Sequence, residues 1–113
     1  MMSIRQKKIE SVLQKELSNI FRENAREYCL GAMVTVTAIN VAPDLSFAKA
    51  FLSVFGAKDN DEAFKQVQQS KREIRFHLGK RLGKSMRRIP ELAFEIDDSL
   101  DYAEEIDRIL KDD

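Results

Sequence analysis

Lys71, Arg72, Arg75, Lys80, Arg81, Lys84, Arg87 and Arg88 fall within the eighteen residues "KREIRFHLGKRLGKSMRR", and Glu73 is the only acid among them. Ammonium and guanidinium groups at this density are suited to polyanions. A phosphate meets Lys as a point charge and Arg through two parallel hydrogen bonds. Counterion release makes each neutralised phosphate favourable and salt-sensitive. Placed on a helix, these cations lie on both sides of an apolar stripe, a layout that follows a curved RNA backbone better than a flat membrane. Phe76 is the only Phe, Tyr or Trp in the segment, which favours backbone and shape recognition over base stacking. The bland alternative is a solvated face, paired in part with the acidic C-terminal segment.

The charge is strongly segregated. The whole chain balances 19 Lys+Arg against 19 Asp+Glu. Residues 1–64 are neutral, residues 65–88 carry +8 and residues 89–113 carry −8. A polyanion at close range senses the basic segment, because charges beyond a Debye length of roughly 8 Å are screened.

Other candidate chemistry is sparse. His77 is the only histidine, with no spaced cluster of Cys, His or carboxylates around it. Cys29 is the only cysteine, cannot form an internal disulfide, and suits packing near a helix end and a reducing compartment, the cytosol by default. "DDSLDYAEEID" is acidic but lacks the glycine and spacing of a calcium loop. There is no phosphate-binding glycine loop and no G-x-S-x-G. The expectation is a non-enzyme with no metal, no cofactor and no small-molecule substrate.

These residues need elements to position them. Ile9, Val12, Leu13, Leu17, Ile20 and Phe21 recur at steps of three and four, which predicts a helix over residues 4–24, with Ser3 and Gln6 as a capping box. "MVTVTAINV" (33–41) and "FAKAFLSVF" (47–55) alternate and read as an antiparallel pair joined by "APDLS". Phe47, Lys49, Phe51, Ser53 and Phe55 share one face of the second strand; Ala48, Ala50, Leu52 and Val54 share the other. Asp59 and Glu62 start a helix that runs to about Gly83. Lys71 falls in its apolar stripe, so a change of direction near residues 69–72 is expected. Pro90 ends the basic segment. "ELAFEI" reads as a third strand, and Ser99 caps a last helix carrying Leu100, Ala103, Ile106 and Leu110. The order is α-β-β-α-α-β-α, an α+β two-layer sandwich with a three-stranded sheet and helices on one face. At 113 residues, 43% hydrophobic and 34% charged, the chain reads as one folded domain spanning 1–113, without a secretory signal or a membrane-length apolar run.

"VTVTAINVAPDLSFAKAFLSVFG" resembles the strand-turn-strand of bacterial ribosome-binding factor A. "EIRFHLGKRL" followed by "RRIPELAFEIDDSLDYAEEIDRIL" resembles that family's helix, strand and tail, and "RQKKIESVLQKELSNIF" its first helix. The resemblance covers nearly the whole chain. It implies a type-II KH-like domain, with free 30S small ribosomal subunits and their 16S rRNA as partners. It also implies a role in late subunit maturation, rRNA processing and growth in the cold. The family has an A-x-G kink between the paired helices. Here the matching residues are Ser70, Lys71 and Arg72, so the glycine is absent. The expected function is a monomeric, cytoplasmic assembly factor contacting rRNA through the basic segment. The rivals are a protein–protein adaptor with basic and acidic patches and a small-molecule sensor domain of ferredoxin-like topology, which would open with a strand.

Overall fold

In a computed structural model of the chain, residues 4–84, 86 and 88–97 are described. Helix α1 (Ile4–Glu23) buries Leu13, Leu17, Ile20 and Phe21. A short helix α2 (Ala25–Cys29) follows, which the sequence periodicity does not announce. Leu30 in the left-handed region (φ 49°) and Gly31 (φ 83°) close it, and the Gly31 N–H donates to the Ala25 carbonyl at 2.9 Å. Only one of these two positions is the glycine that this backbone favours.

Strands β1 (Met33–Val41) and β2 (Phe47–Phe55) are antiparallel, and β3 (Glu91–Ile96) runs parallel to β2. The sheet order is β1-β2-β3. Between β2 and β3 come α3 (Asn60–Gln69) and α4 (Lys71–Leu82). Asp59 accepts from the N–H groups of Asp61 and Glu62, which starts α3 at the expected place. This is the KH-like α+β sandwich of the sequence reading, with α2 added. Ser3 and the last helix expected from Ser99 through Leu110 lie outside the described residues.

The helices cover one face of the sheet. Ala48, Ala50 and Leu52 of β2 point inward. The two alanines leave room for Phe21, Val67, Ile74, Leu78 and Phe94, all buried. Burying each such large apolar side chain contributes about 1.5–3 kcal/mol. Phe47 and Phe55 lie exposed on the opposite face, with Met33. A β-bulge shifts the register between Val36 and Ala38, so that Val34 and Val36 before it, and Ile39 and Val41 after it, all face the core.

Polar side chains tie up the sheet's edges. Gln6, Glu10 and Gln14 lie one turn apart on α1 and run along β1. Gln6 donates to the Val41 carbonyl (3.0 Å), Glu10 accepts from the Val41 N–H (2.8 Å) and Gln14 donates to the Val36 carbonyl (2.8 Å). On the other edge Gln68 of α3 donates to the Phe94 carbonyl at 3.1 Å. Among the described residues no helix is long and apolar enough to cross a membrane.

Candidate nucleic-acid interface

The basic segment is positioned by the break between α3 and α4. Ser70 has φ −92° and ψ 5°, a conformation open to any L-residue. Its N–H donates back to the Gln66 and Val67 carbonyls, while its own carbonyl accepts from the Ile74 N–H. The helix is therefore interrupted at Ser70 without a residue at positive φ. Arg72 lies within α4 and needs no glycine. Ser70 is buried, and its hydroxyl accepts from Gln66 Nε2 at 3.4 Å.

Lys71 escapes burial as expected. It is half-buried, and its ammonium sits 5.7 Å from the centre of the Phe94 ring. Arg72 is exposed. The start of α4 and the segment leading into β3 flank an open groove of about 1100 Å³. Lys71, Arg72, Arg75 and Arg88 line it, with Glu73 and Glu91 as its acids and exposed Phe76 as its ring. Ser70 makes no side-chain cap on α4.

The expected cations do not all behave alike. Arg75 is half-buried and committed to its own chain. Its Nε donates to the Pro90 carbonyl at 3.0 Å, its Nη2 to the Ile89 carbonyl at 2.7 Å, and its Nη1 lies 3.6 Å from Glu91 Oε1. It fastens α4 to the entry of β3 and so sets where Arg88 stands. Arg81 ties α4 to α1 through Glu16 (3.3 Å) and Glu23. Two carboxylates there offset one guanidinium, outside the groove. Lys80 and Lys84 are exposed beyond the groove's lining, and Lys80 lies 4.9 Å over the Phe76 ring. That contact occupies a face of the segment's one ring. Arg88 is exposed on the groove's far wall. Arg87 lies outside the described residues.

Two further cations, Arg5 and Lys8, stand on α1 beside Arg88 around a second cavity. The sequence expectation does not include them. Their signal, three cations in "RQKK", disappears when charge is summed over residues 1–64. Cys29 is fully buried, and burial pushes its thiol up to about 11. His77 is half-buried, 6.0 Å from the Tyr28 ring centre. Among the described residues no group of three His, Cys, Asp or Glu is placed to hold a metal ion.

A profile of the family described as ribosome-binding factor A matches residues 5–110. The ribosome-binding factor A of Christiangramia forsetii is 37% identical over 108 residues, 95% of this chain and 82% of the relative. The crystal structure of ribosome-binding factor A from Thermus thermophilus superposes with a TM-score of 0.66 at 21% identity, covering 80% of this chain and 94% of that one. Coordinates of the Thermus thermophilus factor fitted into a cryo-EM map of its 30S complex give a TM-score of 0.64 at 22% identity, covering 80% and 93%.

Proposed function

The chain belongs to the ribosome-binding factor A family, and on that premise we propose that it is an assembly factor that binds free 30S small subunits and contacts rRNA phosphates through the α3–α4 groove. Its role is the late maturation of the subunit and the processing of 16S rRNA, in the cytoplasm, as one RNA-binding domain and without catalysis of its own. The observation that carries this reading is the convergence of Lys71, Arg72 and Arg88 on one solvent-open groove at the start of α4. The Thermus thermophilus relative, fitted into a map of its 30S complex, supports the choice of partner.

Within the basic segment the roles divide. Lys71, Arg72 and Arg88 face the groove and bind phosphate. Lys80, Lys84 and Arg87 extend the positive field along the segment. Arg75 and Arg81 are positioning residues, because their guanidinium groups already serve the Ile89 and Pro90 carbonyls and the Glu16 and Glu23 carboxylates. Within the groove, recognition is of backbone and shape, since Phe76 is already paired with Lys80.

Sedimentation of a lysate tests the reading. The factor is expected to travel with free small subunits at low salt and to leave them at high salt. Migration at the top of the gradient at every salt concentration would overturn it. A second reading, distinct from the adaptor with basic and acidic patches, is a protein partner on the outer sheet face where Met33, Phe47 and Phe55 are exposed; it predicts a partner retained at high salt.

A further inference from the structure

The second cavity, of about 680 Å³, lies between the start of α1, the β1–β2 turn and the segment before β3. Ile9, Val12, Leu45 and Met86 supply its apolar surface; all four are only partly buried and pack against the core from outside. Arg5 and Lys8 from α1 and Arg88 from the opposite wall bring three cations to it. Asp44 lies on its lining as well. Hydrogen bonds from Ser46, with Arg88 adding to them, hold the Asp44 carboxyl below its ordinary range, so it is an ionised acceptor.

Leu45 adds a conformational observation. It takes φ 63°, and its N–H donates to the Ala42 carbonyl at 2.8 Å. A leucine in the left-handed region is strained, and such strain persists where the surroundings hold the residue in place. Here it keeps an apolar side chain, which glycine would lack, on the cavity lining.

The contents of the cavity narrow its ligand. Its volume is in the range of small-molecule sites, roughly 300–1,000 Å³, and well beyond what a bare phosphate needs. Apolar surface ringed by cations and one carboxylate matches a planar base with a phosphate beside it and a polar edge or ribose hydroxyl to donate. A paired base cannot enter a concave site, because it is stacked within its helix; a splayed base can. Arg88 lines both this cavity and the groove at the start of α4, so a single strand can run from one into the other.

We propose that this cavity binds one unpaired nucleotide of the RNA, with its base against Ile9, Val12, Leu45 and Met86 and its phosphates on Arg5, Lys8 and Arg88. The proposal rests on the RNA reading of the groove and adds to it a preference for RNA with an unpaired end or bulge.

The test uses the full chain and two RNA probes: a blunt hairpin, and the same hairpin with a short unpaired 3′ tail. The tailed hairpin should bind roughly tenfold more tightly, as expected for shielding the faces of one base from water. Val12→Phe, which fills the cavity, and Lys8→Glu, which reverses a cation on its rim, should each remove that advantage. Val12→Phe should leave the affinity for the blunt hairpin unchanged. Independently of any variant, the methyl NMR signals of Ile9, Val12, Leu45 and Met86 should shift with the tailed hairpin and not with the blunt one. Equal affinity for the two hairpins, or methyl shifts that do not distinguish them, would overturn the nucleotide site and leave the phosphate groove standing. Failure to bind either hairpin at low salt would overturn the RNA reading and this site together.

Discussion

Arg75 Nε donates to the carbonyl oxygen of Pro90 at 3.0 Å, across the gap between α4 and the first residue of β3. Pro90 is buried and Ile89 half-buried, so the carbonyls that Arg75 serves lie where water is scarce. Arg75→Ala should lower stability by about 1.5–3 kcal/mol, the range for hydrogen bonds to a charged donor. Arg75→Lys should recover only part of it, because an ammonium lacks the planar fork. Urea unfolding followed by circular dichroism measures both. The same variants should weaken RNA binding indirectly, by releasing Arg88 from its place.

Arg72 is the contrasting case. It is exposed on the first turn of α4, and among the described residues no hydrogen bond or ion pair ties it to another element. Arg72→Ala should change stability by no more than about 0.5 kcal/mol while reducing RNA affinity. Restoring the family's glycine at this position, Arg72→Gly, should destabilise the protein by about 1 kcal/mol without changing the helix break, because the backbone there is already helical. A thermal melt and hydrogen exchange at residues 66–74 read these two effects separately.

Arg81→Ala should cost about 0.2–1 kcal/mol for each lost ion pair with α1. It should leave the salt dependence of RNA binding unaltered, since the guanidinium it removes is already offset by Glu16 and Glu23. Parallel unfolding and RNA titrations, compared with Arg72→Ala, distinguish a tie between helices from a phosphate contact.

Burial of Cys29 predicts a pH response. Its folded pKa, about 11, lies above the ordinary value of 9.0. The folded state therefore holds a proton that the unfolded chain releases between these values. The stability it contributes is full below pH 9 and is lost as pH rises through 11. Cys29→Ala should flatten the stability curve in that window. The wild-type thiol should react slowly with a disulfide reagent at pH 8 until the protein is unfolded.

The fold was largely legible in the sequence because its elements carry strong periods. α1, the two long strands, β3 and the break at Ser70 all follow from apolar spacing and from the cost of burying Lys71. Two features were not. α2 is five residues long, too short for a period, and it is closed by backbone geometry at Leu30. The bulge near Thr37 shows only as the wider step from Val36 to Ile39 in a string that otherwise alternates. The candidate site was legible as a charged segment but not as a list of contacts. Composition marks Arg72, Arg75 and Arg81 alike. Only the fold separates a guanidinium in an open groove from one spent on the Pro90 carbonyl or on Glu16. Arg5 and Lys8 escaped notice because they are distant in sequence from Arg88 and meet it only through the packing of α1 beside the β1–β2 turn.

Binding of rRNA phosphates by the groove at the start of α4 can be measured directly. The most direct measurement is the affinity of the wild-type protein and of the Arg72→Glu/Arg88→Glu variant for free small subunits across a salt series, with circular dichroism to show that both are folded. Each phosphate contact adds roughly 0.9 to the slope of log affinity against log salt, by analogy with duplex DNA. The double variant should therefore bind at least tenfold more weakly at low salt, with a slope shallower by roughly 2. A folded double variant with wild-type affinity and an unchanged slope would contradict the account.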